Sequence, residues 1–243
     1  MLILPIYAII ICFASIVGVV TGFGFSTLAI PVLSITTSMP MVEILFLVAA
    51  MHITLNAYKV LFFHGGWNQI TLFFIIIGGI SSLVGAWVAL YIFQEQWRLL
   101  LGLFLLLYAV FSLFLQPPVI PENRFTAFAG ATLSGFFAGL LGIGGAVRSV
   151  FLDVYNLPKE AYIATTGVIA LAIDIARLSV YQTKVVHVQE LWQFFLVSIP
   201  VQLLGVLIGR RLVTYVPQHH YRHVVSFALG LFGLWLLFGN GFQ

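Results

Sequence analysis

The sequence predicts an all-α, polytopic helical membrane protein built from two related five-segment repeats. Three observations predict this fold class. Of the 243 residues, 62% are hydrophobic and 7% are charged, whereas about a quarter are charged in an ordinary soluble domain. The apolar stretches are long and continuous, with a mean hydropathy of +1.13, which favours helices over a barrel of alternating strands. A glycine motif also recurs about half a chain after its first copy.

The apolar runs define ten candidate segments. They cover residues 2–21, 25–36, 41–63, 69–92, 97–115, 125–141, 144–155, 160–181, 190–213 and 220–239. Because a spanning helix needs about 20 apolar residues, little of the chain remains for a domain outside the membrane. The second segment of each half has only about 12 residues, or roughly 18 Å of helix. That length is short of the hydrocarbon core, so we expect a half-helix there.

The order of polar, glycine and proline landmarks indicates a two-fold internal repeat. The pairs are Gly22 and Gly24 with Gly142 and Gly144, Pro40 with Pro158, Asn56 with Asp174, Lys59 with Arg177, Gly85 with Gly205, and Arg98 with Arg222. All pairs keep their order along the chain. The sequence therefore predicts a first transmembrane repeat at 1–115, a proline-rich linker at 116–124 and a second transmembrane repeat at 125–243.

The distribution of Lys and Arg favours an inverted second repeat. In one arrangement, the first run and the half-helix of each half form a hairpin that returns to its starting side of the membrane. Three further membrane crossings follow in each half, so the second half has the opposite orientation in the membrane. One side of the membrane then carries Lys59, Arg124, Lys159, Arg210, Arg211 and Arg222, and the other carries Arg98, Arg177 and Lys184. The positive-inside rule makes the first side cytoplasmic. If each pair is instead one kinked crossing, the tally is four against five and indicates no orientation.

The two glycine breaks are the predicted binding site. Unwound backbone at membrane depth is tolerated where it is buried in protein or lines a cavity, and the amide groups that begin the next helix favour an anion. The alternative is that these glycines serve only close helix packing. The predicted substrate-binding residues are Gly22, Gly24, Phe25, Ser26, Thr27, Gly142, Gly144, Gly145 and Arg148.

Arg148 lies inside a short apolar helix, where a charge is costly unless it is paired or hydrated. It would suit a small oxyanion, or it pairs with a carboxylate that the sequence does not reveal, or it extends to a surface. Asn56 with Lys59 and Asp174 with Arg177 share an i, i+3 spacing on the corresponding predicted helices of the two halves. His52 lies one turn before Asn56. The candidates for coupling or gating are His52, Asn56, Lys59, Asp174 and Arg177. Structural roles, an ion pair for Asp174 and Arg177 and a core position for His52, remain open.

Several classes of function find no support. The single cysteine, Cys12, excludes an intrachain disulfide and a cysteine metal cluster. The net charge of +3 comes without a dense basic cluster, so no nucleic-acid partner is expected. No catalytic triad or carboxylate pair can be assembled, and we predict neither an enzyme nor a cofactor. His219, His220 and His223 have spacings that could bind a metal, but an interfacial position is favoured and no metal site is predicted.

At the glycine breaks the chain resembles the sulfite exporter TauE/SafE family of small membrane permeases. The family signature is a repeated Gly-x-Gly-Gly-Gly-x-x-x-x-Pro-x-Leu. The first copy keeps Gly22, Gly24, Pro31 and Leu33 but has Phe25 and Ser26 at glycine positions. The second keeps Gly142, Gly144, Gly145 and Leu152 but has Ala146, Arg148 and Phe151. The Pro158-Lys159-Glu160-Ala161 segment, followed by Thr165-Thr166, also looks like the family's second element.

The resemblance implies a multi-pass inner-membrane permease that exports a small organosulfur or inorganic sulfur anion. The residues add the expectation of an anionic substrate, with the proton gradient as the driving force. Membrane lipid is an expected partner, and a homodimer stays open. Two alternatives remain: a permease for a cation or another small solute with Asp174 as the ion site, and a non-transporting membrane subunit.

Overall fold

The computed structural model describes residues 3–37, 39–65, 68–114, 120–185, 188–215 and 218–239, and within them it contains helices and no strand. The first five helices are α1 (Ile3–Val20), α2 (Phe25–Thr36), α3 (Met41–Phe62), α4 (Gln69–Ala89) and α5 (Gln94–Phe114). The next five are α6 (Arg124–Leu141), α7 (Gly144–Leu152), α8 (Lys159–Tyr181), α9 (Val188–Val213) and α10 (Gln218–Phe238). The predicted all-α class is confirmed. Residues 116–119 of the predicted linker lie outside the described residues.

The helix ends follow local sequence signals. Asn68 and Asn123 cap α4 and α6, because each side chain accepts a hydrogen bond from the backbone N–H three residues on. Pro40 and Pro158 directly precede α3 and α8. The run predicted at 144–155 is divided: α7 ends at Leu152, and a 3₁₀ turn covers Asp153–Tyr155. The turn ends at Asn156, whose φ of 44° suits a short polar side chain.

The described helices include six that are long and apolar enough to cross a membrane. They are α3, α4, α5, α6, α8 and the Leu191–Val213 part of α9. At 12 and 9 residues, α2 and α7 are far shorter, since about 20 residues are needed to span the hydrocarbon core. The protein is therefore a multi-pass helical membrane protein.

Two helix pairs, α3 with α8 and α5 with α10, pack in antiparallel register. On α3 and α8, Asn56 donates to Asp174, and a side chain added at Gly167 would meet Lys59. Residue numbers thus rise on one helix as they fall on the other. The pair α5 and α10 behaves alike, since the Arg98 Nε donates to the Leu236 carbonyl at 2.6 Å and Ser226 donates to Ser112 at 2.8 Å.

Two further helix pairs, α4 with α6 and α1 with α9, are parallel, and glycines permit their close contact. On α6, Gly135 approaches the backbone of Gly78 on α4, and Gly139 approaches that of Ser82. On α9, Gly205 and Gly209 lie against successive turns of α1. In each case a Cβ atom would collide with the neighbouring helix, as expected where small residues allow helix backbones to approach closely in membranes.

The start of α6 and the end of α7 lie at the same end of the molecule. Asn123 and Arg124, where α6 begins, line a cavity of about 490 Å³ together with Tyr155, which follows α7. Gln69, where α4 begins, lines the same cavity. The chain therefore returns through α7 towards the end from which α6 departs.

The packing predicts different outcomes for two glycine substitutions. In Gly139→Ala, the new methyl group meets backbone atoms of Ser82 and Ala86 on α4, which cannot move aside as a side chain would. Overpacking of this kind typically costs about 1–3 kcal/mol, so we expect a lower midpoint of thermal unfolding in detergent.

The matched control is Gly79→Ala on α4, because nothing lies within 4 Å of the added methyl group. This change should leave the midpoint unchanged or raise it slightly, since alanine favours the helix by about 1 kcal/mol over glycine. Equal midpoints for the two variants would contradict the close α4–α6 packing.

Candidate functional site

The first glycine break connects α1 and α2. Gly22 and Gly24 have φ values of 79° and 107°, in the left-handed region that other residues rarely adopt. The Thr21 hydroxyl donates a hydrogen bond to the backbone carbonyl of Phe23, which lies between the two glycines. A Cβ atom at Gly22 would lie 2.5 Å from the Tyr162 ring of α8. This break is a sharp turn held against the second half of the molecule.

The residues after the first break are buried. Phe25, Ser26 and Thr27 form the first turn of α2 and have exposed fractions of 0%, 4% and 1%. The Thr27 hydroxyl has no hydrogen-bond partner among the described residues. A buried hydroxyl without a partner is costly, so this turn offers a polar group that a ligand could satisfy.

The second glycine break connects α6 and α7, and its glycines serve two different purposes. Gly142 has a φ of 77°, and its N–H donates to the Ala138 carbonyl at 3.0 Å, which ends α6. Gly144 allows close packing, because a Cβ there would lie 2.6 Å from the Ala138 side chain. The turning role and the packing role of the glycines therefore occur together in one motif.

The structure brings the two breaks into contact. A Cβ atom at Gly145 would lie 3.1 Å from the Cβ of Phe23, so the start of α7 rests on the first break. One at Gly142 would collide with Ile30 of α2. Residues that are more than a hundred positions apart in the chain thus form one region. All the predicted site residues there are buried except Gly145, which is half-buried.

Arg148 is buried one turn after the second break. Its exposed fraction is 3%, and its Nε has no hydrogen-bond partner in the part of the chain that the structure describes. Its Nη2 lies 3.8 Å from the Cβ position of Gly145, so the guanidinium turns back towards the break. No hydrogen bond joins it to Ser26 or Thr27 among the described residues. The side chain does not extend to a surface.

Asp174 is the centre of a buried polar cluster that joins α3 and α8. The Arg177 guanidinium lies 2.7 Å from one carboxylate oxygen, and Arg177 Nε donates to that oxygen at 2.9 Å. The other oxygen accepts from Asn56 Nδ2 at 3.2 Å and lies 2.8 Å from His52 Nδ1. Asp174 and Arg177 thus form the ion pair that their spacing allows, and both carboxylate oxygens are occupied.

Two buried cations bind backbone carbonyls at or just before the breaks. Lys59 Nζ donates to the Gly22 carbonyl at 3.3 Å, and Arg177 Nη1 donates to the Ala138 carbonyl at 2.9 Å. Gly22 follows the end of α1 and Ala138 lies in the last turn of α6, and the carbonyl end of a helix favours positive charge. With Arg148, three buried cations touch the breaks, and Asp174 pairs with one of them, Arg177.

An aromatic stack connects the first break with the Asp174 cluster. The rings of Phe25 and His52 are nearly parallel, at 6°, with centroids 5.6 Å apart. Because Phe25 is the first residue of α2, movement of that helix end would displace the ring that covers His52.

Sequence reasoning missed the tyrosines of α8. Tyr162 covers Gly22, and the Tyr181 hydroxyl donates to the Gly139 carbonyl near the end of α6. Their positions repeat at helical spacing with Thr166, Asp174 and Arg177, which marks one polar face of an otherwise apolar helix. That periodicity would have identified both tyrosines. His219, His220 and His223 lie in the first turns of α10, but their side chains lie outside the described residues.

The fold and the apposed breaks define a polytopic helical membrane protein with a buried polar centre. The family model "Sulfite exporter TauE/SafE" matches residues 7–236, so the chain belongs to that family of membrane permeases. No curated protein and no solved structure matches the chain.

Proposed function

We propose that the protein exports a small sulfur-containing anion, such as sulfite or sulfoacetate, across the cell's inner membrane. The observation that carries this proposal is the charge balance at the breaks. Lys59, Arg148 and Arg177 are buried there, and Asp174 is paired with Arg177. Since a buried charge is costly without a counter-charge, an anion is the ligand that would complete the region.

Arg148 is the proposed principal contact. It differs from the other two cations because Lys59 and Arg177 already bind helix carbonyls, whereas Arg148 Nε has no partner in the described chain. A guanidinium forms strong, charge-assisted hydrogen bonds to oxyanions. The Thr27 and Ser26 hydroxyls and the backbone N–H groups of Gly24 and Gly145 would supply the remaining donors.

The helix register supports an inverted two-fold repeat with halves at 1–115 and 125–243, joined by the linker 116–124. Under this repeat, α1 corresponds to α6 and α9 corresponds to α4. The α1–α9 contact therefore corresponds to the α6–α4 contact, and the helices run parallel in both. Likewise, α3 corresponds to α8 and α5 corresponds to α10. Each of these two pairs therefore joins a helix to its own counterpart, and the helices run antiparallel in both. If each break made one kinked crossing, these last two pairs would run parallel. A hairpin in each half accounts for all four directions, and the two halves would move around the site.

Cysteine labelling tests this topology. In a Cys12→Ala background, single cysteines at Glu122, Asn156 and Lys184 probe the ends of α6, α7 and α8. We expect residues 122 and 156 to react with a membrane-impermeant maleimide from the cytoplasmic side, because both neighbour the cavity where α6 begins and α7 ends. Residue 184 should react from the opposite side. Labelling of 122 and 156 from opposite sides would contradict the hairpin.

The Asp174 cluster is the proposed point of proton coupling. Histidine changes its charge near neutral pH, and His52 contacts both Asp174 and the Phe25 ring that follows the first break. A proton on His52 would strengthen its attraction to the carboxylate and fix the ring on which Phe25 stacks. Anion binding at the first break and protonation of His52 beside Asp174 would thus act on the same end of α2.

Replacement of His52 tests the coupling. In liposomes, His52→Gln should reduce the acceleration of sulfite flux by an imposed pH gradient at least tenfold, because glutamine can hydrogen-bond Asp174 but does not titrate. Exchange of sulfite without a gradient should persist. His64→Gln is the matched control, since His64 is exposed after α3. Gradient-driven flux equal to that of the wild type in His52→Gln would remove this residue from coupling.

Replacement of Arg148 tests the substrate site. Arg148→Gln should weaken sulfite binding about 10- to 100-fold, since a hydrogen bond to a charged group contributes about 1.5–3 kcal/mol. Calorimetric titration of the purified protein measures the affinity, and the thermal midpoint verifies folding. Arg124→Gln, at the exposed start of α6, is the control and should bind as the wild type does.

Two results would overturn these assignments. Wild-type sulfite affinity in Arg148→Gln would place the anion elsewhere. Reconstituted wild-type protein that transports cations, and does not transport sulfite, sulfoacetate or thiosulfate, would favour the alternative in which Asp174 binds the transported ion. Against that alternative, both oxygens of Asp174 already have protein partners.

A further inference from the structure

The outer face of α9 forms a groove that is separate from the glycine breaks. Its volume is about 720 Å³. The lining residues are Leu204, Leu207, Ile208, Arg210, Arg211, Thr214 and Tyr215. All seven side chains are exposed on the molecule.

The chemistry of the groove changes along the helix axis. Leu204, Leu207 and Ile208 come first and have exposed fractions of 58%, 42% and 44%. Arg210 and Arg211 lie in the last turn of α9, and Tyr215 follows at 82%. Apolar residues, then cations, then an aromatic residue is the sequence of groups met on passing from the hydrocarbon core to the membrane surface.

The two arginines are available to a ligand. The carbonyl at the end of α9, that of Val213, accepts a hydrogen bond from Lys159 at the start of α8, so the helix end already has a cation of its own. Arg210 rests on the Phe62 ring, with 5.8 Å between its Cζ and the ring centroid. This contact orients the guanidinium without using its hydrogen-bond donors, because a cation over a ring face is held by electrostatics. Among the described residues, no hydrogen bond from this guanidinium is present.

We propose that this groove binds one anionic phospholipid. Arg210 and Arg211 would hold the phosphate, which arginine binds in bidentate fashion, and Thr214 and Tyr215 would contact the headgroup. One acyl chain would lie along Leu204, Leu207 and Ile208. Basic pockets at the membrane surface of transmembrane helices suit anionic headgroups, and the volume falls within the range of about 300–1,000 Å³ for small-ligand sites. This proposal does not depend on the transported substrate.

Native mass spectrometry of the delipidated protein, titrated with dioleoyl phosphatidylglycerol, tests the site. We expect one phosphatidylglycerol to bind at least tenfold more tightly than phosphatidylcholine of the same chain length. The Arg210→Gln/Arg211→Gln variant should lose this preference. Lys184→Gln, an exposed cation after α8, is the control and should keep the wild-type preference.

A second variant tests the apolar wall without altering charge. Ile208→Trp fills the groove at an exposed position, so folding should be unaffected while phosphatidylglycerol binding weakens at least fivefold. Inorganic phosphate is the third probe and should fail to compete at millimolar concentration.

Three results would overturn the proposal. They are equal binding of the two lipids by the wild type, an unchanged preference in the double arginine variant, and displacement of the lipid by inorganic phosphate, which would indicate a free-anion site.

Discussion

The buried carboxylate of Asp174 is the interaction on which the arrangement of this molecule depends. It binds Arg177 on its own helix and contacts Asn56 and His52 on α3. Arg177 in turn binds the end of α6. Removing one partner from such a cluster would leave an uncompensated charge, which typically costs about 3–5 kcal/mol. The cluster therefore fixes α3 against α8 and orients the second break.

Glycine determines how closely the rest of the bundle packs around that cluster. In a bilayer the apolar lipid chains compete equally for apolar side chains, so helices associate through close van der Waals contact. Gly135 and Gly139 provide this contact between α6 and α4, and Gly205 and Gly209 provide it between α9 and α1. At Gly22, Gly24 and Gly142, positive φ angles reverse or bend the chain. One residue type thus produces both the tight frame and the breaks within it.

The two glycine breaks differ in chemistry where they meet. The first break is followed by Phe25, Ser26 and Thr27, and the second by Arg148. Lys59 and Arg177 bind backbone carbonyls near the first and the second break, and Asp174 faces the uncharged Asn56. The region where the breaks meet is therefore chemically asymmetric, and three buried cations lie in it. This asymmetry is what makes an anion the favoured ligand.

The sequence by itself determined the all-α membrane class, the helix positions to within a few residues, and the i, i+3 pairing of Asp174 with Arg177, because apolar run length and helical periodicity are local properties. It also identified both glycine breaks. Only the tertiary structure decided that Phe23 rests on Gly145, that His52 and Asn56 face Asp174, and that Tyr162 covers Gly22. These contacts join residues 118 to 140 positions apart. Apolar residues surround these buried helices on nearly all sides, so the apolar pattern does not specify which faces meet.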